Sequence, residues 1–228
     1  MTMSVEQVLQ TMEALGSEQA RKTYRRHGVK GPQFGVSYAD QKKLAKKIKT
    51  DHRLAVALWA SGNHDARILA LMVADPAQAS TALLDSWLAD LSDYVLTDAL
   101  SAYAAKTTIA REKMDDWQRS AHDWISTVGW NVLSARAADD PALPDSYFEP
   151  YIATIERAIH GSQNRTRHAM NSALIAIGAR NAALEAKAVS SAKRIGKVSV
   201  DHGDTNCTTP DAIGYIKKIK DRKADKIS

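Results

Sequence analysis

Apolar residues recur at every third or fourth position along almost the whole chain, and this spacing constrains the fold more than any other feature. In the first such segment Val5, Val8, Met12 and Leu15 fall on one face, which is typical of an amphipathic α-helix. The pattern returns in successive segments separated by short Gly, Ser and Asp breaks. No run of alternating β-branched residues is long enough to indicate a strand. The sequence therefore predicts an all-α protein.

The breaks between successive helical segments are so short that neighbouring helices must run antiparallel. Residues 61–63, Ser-Gly-Asn, separate one such pair of segments. Pairs recur at intervals of roughly 35 to 45 residues, the range of HEAT-type repeats, and stacked pairs form a curved solenoid with a concave face. We therefore expect an α-α superhelix, a HEAT- or ARM-like solenoid, over residues 1–200. A C-terminal loop, a short helix and a frayed basic tail are expected over residues 201–228.

Charge is divided unevenly along the chain. Residues 1–50 hold 10 Lys and Arg against 4 Asp and Glu, residues 51–160 hold 8 against 16, and residues 161–228 hold 13 against 6. If both basic ends flank one concave groove, they form a two-sided clamp for a polyanion. Alternatively, the lysines only solvate the outer faces of helices. The cations that we expect in the groove are Arg25, Arg26, Lys30, Lys46, Lys47, Arg165, Arg167, Lys193 and Arg194.

A glycine-rich loop follows the second helical segment. Residues 28–35 contain three glycines and a proline, which permit tight turns and exposed backbone amides. Such amides could hold a phosphate together with Arg25, Arg26 and Lys30. No Gly-Lys-Ser/Thr follows, so the loop is not a P-loop.

Two charged residues lie in helical segments that are otherwise apolar. Asp98 follows Tyr94 by one helical turn, in a helix for which Ser92 is the expected N-cap. A carboxylate among apolar residues is either paired or hydrogen-bonded by a neighbouring group, or it faces a groove where its charge has a function. Arg67 lies among apolar residues in the same way, so we expect a carboxylate from a neighbouring helix beside it.

Five segments in this order resemble the DNA alkylation repair family of HEAT-like repeat proteins, the AlkD-type DNA glycosylases. They are RRHGVKGPQFGV with the Lys-rich helix after it, LWASGNHDARILALMVADP, SDYVLTDAL, HDWISTVGWNVLSA and RTRHAMNSALIAIG. The resemblance implies a basic helical surface that grips double-stranded, alkylated DNA and cleaves the N-glycosidic bond of cationic purines. It also implies four functional positions, a Trp, an Asp, an Arg and a second Trp. In this chain they are Tyr94, Asp98, Thr127 and Ser172.

The chemistry of such a site leaves two functions open. Loss of a cationic purine leaves an oxocarbenium-like sugar, which Asp98 would stabilise as a carboxylate while the Tyr94 ring faces the cation. The first function is therefore a DNA glycosylase. The second is a scaffold that binds DNA or protein and has lost the glycosylase site. We expect a monomer in either case. A third interpretation is a small-molecule enzyme that uses Asp98, His202 and Cys207, although no motif organises these residues into a site.

Residues 198–210 form a polar segment with several open readings. His202 and Cys207 lie close to two aspartates, but one loop lacks the second ligand-bearing segment of a metal site, so we predict no metal and no cofactor. The segment either leads to a helix that begins at Thr209 and Pro210, or folds back so that His202 and Cys207 face DNA or Asp98. Asn131 and Asn171 are polar residues in apolar helical segments. They are either accessory groups of the functional site or partners in hydrogen bonds between helices.

The ends of the chain and its cysteine content indicate a cytoplasmic protein. The N-terminus lacks a basic flank followed by an apolar run, and no apolar stretch approaches the length of a membrane span. The single cysteine excludes an internal disulfide. We therefore expect no membrane partner.

Overall fold

The computed structural model describes residues 3–225, and all regular secondary structure in that range is helical. Helix covers 71% of it, so the all-α prediction is confirmed. No helix in the described range is long and apolar enough to cross a bilayer. The α-helices are α1 (Val5–Leu15), α2 (Glu18–Arg26), α3 (Tyr38–Ile48), α4 (His52–Ala60), α5 (His64–Val73), α6 (Thr81–Ala89), α7 (Tyr94–Ala104), α8 (Ile109–Gln118), α9 (Asp123–Asp139), α10 (Asp145–Ala158), α11 (Asn164–Gly178), α12 (Ala182–Ile195) and α13 (Ala212–Ala224).

Most helices begin where a small polar side chain can accept a backbone N–H. Ser4 opens α1 with a capping box, since its hydroxyl accepts the Gln7 N–H while the Gln7 side chain accepts the Ser4 N–H. Ser37 caps α3 through its hydroxyl, which accepts the Asp40 N–H at 3.1 Å. The cap of α7 is Asp93 rather than the predicted Ser92. A carboxylate there also interacts favourably with the helix dipole.

The C-terminal helix differs from its predicted start and length. It is capped by Asp211, whose carboxylate accepts the Gly214 N–H, and not by Thr209. It continues to Ala224, so the predicted frayed tail is helical over residues 220–224. Ile216 is fully buried, which explains why tertiary packing holds a segment whose own apolar stripe is short. The last three residues of the predicted tail lie outside the described residues.

The chain forms two compact units. Unit 1 contains the residues up to Glu112 together with Gly203–Thr205, and unit 2 contains Lys113–His202 together with the residues from Asn206 onward. The domain boundary expected after residue 200 stays a prediction.

The core of unit 1 is built around the α4–α5 pair. These helices pack against each other across the Ser61–Asn63 connection, and α5 also packs on α3 and α7. Trp59 of α4 stacks on Trp87 of α6 with ring centroids 4.5 Å apart. Arg67 lies over the Trp59 ring and pairs with Asp90 at 2.8 Å. The carboxylate partner predicted for Arg67 is thereby confirmed.

A buried carboxylate joins the start of α5 to the glycine-rich loop. Asp65 is fully buried, and its oxygens accept the backbone N–H groups of residues 34, 35 and 36 at 2.7, 2.9 and 3.1 Å. The Gln41 side chain adds a fourth donor at 3.3 Å. Gly35 has φ +76°, and a Cβ there would lie 2.5 Å from the Ser17 carbonyl oxygen. Only glycine therefore fits this turn without strain.

Unit 2 is centred on α11, which packs against α9, α12 and α13. The start of α11 is held by Asp123 of α9, which accepts the backbone N–H groups of Arg165 and Thr166 at 3.0 and 2.7 Å. The end of α11 approaches its neighbours closely, because a Cβ on Gly178 would lie 2.6 Å from Ile216 Cδ1. The two ends of α11 are thus fixed by one carboxylate and one glycine.

The Asp65 contacts predict a large loss of stability on a near-isosteric change. Asp65→Asn places an amide N–H₂ against backbone donors and removes the charge that strengthens these bonds, so unfolding free energy should fall by about 2 to 3 kcal/mol. Urea unfolding followed by circular dichroism measures the change. Asp85→Asn, on the exposed face of α6, is the matched control and should shift stability by less than about 0.5 kcal/mol. Equal midpoints for the two variants would contradict the assigned role of Asp65.

Candidate nucleic-acid interface

Helix α7 carries the two residues predicted to do chemistry. Tyr94 and Asp98 lie one turn apart; Tyr94 is half-buried and Asp98 is exposed. The Tyr94 hydroxyl hydrogen-bonds His27 Nδ1, and the two rings meet edge to face with centroids 5.6 Å apart. His27 is the C-cap of α2 and directly follows Arg25 and Arg26. Tyr94 therefore links α7 to the basic end of α2.

A buried polar cluster supports the start of α7. His64 and Asp93 are almost completely buried, with His64 Nε2 3.4 Å from Asp93 Oδ1. The Tyr24 ring lies 5.4 Å from the His64 ring, and its hydroxyl donates to the Val36 carbonyl at 2.7 Å. Burial, with the nearby Asp65 charge, raises the pKa of Tyr24 to about 12. Tyr24, as a neutral phenol, and the buried Asp93 thus contact His64 from two sides. These contacts connect α2, α5 and the start of α7.

The glycine-rich loop does not offer its amides to a ligand as predicted. The N–H groups of residues 34–36 are taken by the Asp65 carboxylate. A phosphate at those amides would have to displace an internal anion that is already desolvated. The prediction was therefore wrong for this part of the loop.

The predicted cations of unit 1 all lie on its surface. Arg25 pairs with Glu18 at 3.3 Å. Four others are exposed and have no ion-pair partner among residues 3–225. They are Arg26, Lys30, Lys46 and Lys47.

The predicted cations of unit 2 are mostly committed to internal contacts. Arg165 is only 8% exposed. Arg167 donates to the carbonyls of Ser199 and Ser162 at 2.8 and 2.9 Å, and Arg194 forms a two-pronged ion pair with Glu156 at 2.6 and 2.7 Å. The burial of Arg165 and the carbonyl contacts of Arg167 contradict the expectation of phosphate ligands at these two positions, whereas Arg194 is exposed and its role stays a prediction. Lys193 is exposed, and within the described part of the chain no carboxylate pairs with it.

The remaining family positions lie in unit 2 without the groups that the resemblance implies. Thr127 is buried, and its hydroxyl finds no hydrogen-bond partner among the described residues. Ser172 donates to the His168 carbonyl of its own helix at 3.1 Å. Of the accessory residues, Asn171 is buried and donates to the Pro210 carbonyl at 2.9 Å, which is a structural role, and Asn131 is half-buried in α9.

The polar segment before α13 packs on α11. His202 Nε2 lies 3.0 Å from the Thr209 hydroxyl, and its ring meets His168 edge to face at 5.6 Å. Burial and the Arg165 charge lower the pKa of both imidazoles. Cys207 is exposed and outside any disulfide. Residues 3–225 contain no cluster of three His, Cys, Asp or Glu side chains arranged to hold a metal.

Sequence reasoning missed two of the residues that organise these surfaces. Asp65 and His64 read only as the polar start of an apolar helix. The signal that could have found Asp65 is its position two residues after the Asn63 cap, where an acid favours the helix dipole, in a chain that also contains an unexplained glycine-rich loop.

These helix pairs and their polar first turns define an all-helical, HEAT-like repeat protein. The chain belongs to the DNA alkylation repair enzyme family, whose model matches residues 8–216. It is 30% identical over 217 residues to uncharacterized protein Lin0241 of Listeria innocua and to uncharacterized protein Lmo0209 of Listeria monocytogenes, covering 92% of this chain and 95% of each relative.

A solved structure matches the same length of chain. It superimposes with a TM-score of 0.88 at 32% identity, covering 97% of this chain and 95% of the other. That protein is described as one of "a new family of proteins related to the HEAT-like repeat DNA glycosylases with affinity for branched DNA structures". The likeness confirms the HEAT-like repeat fold predicted from sequence.

Removing the Tyr94 hydroxyl should have a measurable cost. Tyr94→Phe keeps the ring but leaves His27 Nδ1 without this partner, so unfolding free energy should fall by about 1 kcal/mol. If Tyr94 acted only through the face of its ring, the same substitution would cost little stability. Thermal unfolding of unaltered protein, Tyr94→Phe and the control Tyr38→Phe, at an exposed position, tests it. A Tyr94→Phe protein as stable as the control would mean that the bond contributes nothing.

Stability should fall in mild acid because of His168. Burial first, then the Arg165 and His202 charges, lower the pKa of His168 to about 4 from an ordinary 6.5. Between pH 6.5 and 4, His168 is therefore protonated in the unfolded chain and neutral in the folded protein. The free energy of unfolding falls as the pH falls through that window. Urea midpoints at pH 7 and pH 5 should differ less in His168→Gln than in unaltered protein. The exposed His122→Gln should keep the full pH dependence; the same slope in all three proteins would remove His168 from the explanation.

Proposed function

We propose that this protein binds branched DNA through exposed cations and does not excise bases. The observation that carries the proposal is the likeness, at 32% identity over 97% of the chain, to a protein described as having affinity for branched DNA structures. Membership of the DNA alkylation repair family supports nucleic acid as the partner. The alternative is the glycosylase activity that the resemblance implies for Asp98.

The surface cations of unit 1 support binding. Arg26, Lys30, Lys46 and Lys47 are exposed and carry no ion pair in the described chain. A cation that is not already paired loses less on meeting a phosphate, because no internal bond must be broken first. Displacement of counterions by such groups supplies most of the affinity of proteins that do not read sequence.

The positions of the implied catalytic set favour binding over chemistry. Asp98 is exposed, and an ion pair in water is worth about 1 kcal/mol at 4 Å, far less than in a dry site. Thr127 and Ser172 offer neither a cation nor an aromatic ring to assist it. Electrostatic catalysis depends on several preorganised groups that exclude water together. One exposed carboxylate beside a hydrogen-bonded tyrosine is a weak basis for bond cleavage.

The binding test compares a four-way junction with a linear duplex of the same sequence. Fluorescence anisotropy at increasing salt should show tighter binding to the junction. The slope of log affinity against log salt concentration should fall in magnitude by about one for each phosphate contact that a substitution removes. The substitutions are Arg26→Gln, Lys30→Gln, Lys46→Gln and Lys47→Gln, made singly and together. Lys43→Gln, at an exposed lysine of the same unit that already pairs with Asp40 at 2.9 Å, is the control and should leave the slope unchanged. Equal affinity for the junction and the duplex would contradict the preference for branched DNA. An unchanged salt slope in the combined variant would show that these four residues do not contact the phosphates.

A base-release assay decides between binding and the alternative. Methylated DNA incubated with the protein should lose modified purines no faster than DNA alone, and Asp98→Asn should behave like unaltered protein. Release that depends on Asp98 while DNA affinity stays constant would establish the glycosylase instead.

A further inference from the structure

Unit 2 contains a cleft that no part of the proposed DNA surface explains. Its volume is about 650 Å³, within the range of roughly 300 to 1,000 Å³ that is typical of small-ligand sites. It lies between the end of α12, the segment 197–202 and the start of α13. All of its lining residues belong to unit 2.

The floor of the cleft is apolar. Leu174 of α11, Ile195 of α12 and Ala212 of α13 line it and are each at least nine-tenths buried. Pro210 and Ile213 extend this surface along the start of α13. An apolar floor accommodates the face of an aromatic ring without requiring hydrogen bonds beneath it.

The rim of the cleft is polar and carries positive charge. Lys193 and Lys197 both line it, both are exposed, and neither pairs with a carboxylate in the described range. The carboxylate among the lining residues, Asp211, is engaged in capping α13 through the Gly214 N–H at 2.7 Å. His202 is held by Thr209, and its lowered pKa leaves it neutral at pH 7. The rim therefore favours an anion.

We propose that this cleft holds one unpaired nucleotide of a DNA strand, with its base on the apolar floor and its phosphate between Lys193 and Lys197. The inference rests on the proposed function and specifies which part of a branched DNA the protein recognises. Only an unpaired nucleotide presents a free base face beside a phosphate, because the bases of a duplex are stacked on their neighbours. Such nucleotides occur where a single strand leaves a duplex, as at a flap or a fork.

Cys207 makes the cleft directly observable. It lines the cleft, it is exposed, and it is the single cysteine of the sequence. The rate at which the full-length protein reacts with dithionitrobenzoate therefore reports access to this site alone. Two DNAs are compared, a duplex with a three-nucleotide bulge and the same duplex fully paired, each at about ten times its own dissociation constant as measured by anisotropy.

The bulged DNA should slow the reaction of Cys207 by roughly tenfold, the factor expected when about nine sites in ten are occupied, and the paired duplex should leave it nearly unchanged. Replacing Lys193→Gln and Lys197→Gln together should abolish this protection. Lys217→Gln, an exposed lysine of α13 that does not line the cleft, should retain it.

Each other outcome overturns the inference in a recognisable way. Equal protection by both DNAs, or binding without protection, would leave DNA binding standing and remove the cleft from it. If no DNA binds at all, the proposed function fails and this inference fails with it. Protection by thymidine monophosphate but not by the bulge would make the occupant a free nucleotide. Protection by decanoate equal to that by the bulge would make the cleft a general site for apolar anions.

Discussion

The buried carboxylate of Asp65 is the interaction on which the structure of unit 1 depends. It gathers three consecutive backbone amides of the glycine-rich loop and the Gln41 side chain around one fully desolvated charge. A buried charge is tolerated only when its oxygens are satisfied, so the loop, α3 and α5 must adopt one arrangement together. Within that arrangement Tyr24 lies beside His64, and the His64 imidazole lies 3.4 Å from Asp93, the cap of α7. Helix α7 in turn carries Tyr94, which reaches His27 at the end of α2.

Unit 2 repeats the same physical device with different residues. Asp123 accepts two backbone amides at the start of α11 and the Thr166 hydroxyl, and these amides are donors that a helix leaves unsatisfied. In helical repeats each helix contacts only a few neighbours, so a small number of such acids fixes how successive pairs stack. The cost is that some predicted phosphate ligands, such as Arg167, serve the packing of unit 2 instead.

The division of labour between the two units bears on function. Unit 1 keeps surface cations that are not paired internally, and unit 2 keeps a lysine-rimmed cleft. Of the four positions of the family's implied chemistry, two hold Thr127 and Ser172 in place of the implied arginine and tryptophan. A surface that collects phosphates needs only exposed charge. Bond cleavage needs several groups held together away from water. The chain retains the features required for the first of these far better than those required for the second.

The sequence alone determined the helical class, the antiparallel pairing and the presence of a carboxylate beside Arg67, because these follow from local periodicity, short connections and the cost of an unpaired charge. It could not decide which anion occupies the glycine-rich loop, since the loop's amides could donate hydrogen bonds to Asp65 or to a phosphate equally well by composition. The sequence also could not distinguish an arginine that is free to meet a phosphate from one that donates to backbone carbonyls, as Arg167 does. The cleft beside α13 was also beyond it. Its walls come from residues separated by up to about forty positions, and only tertiary packing brings them together.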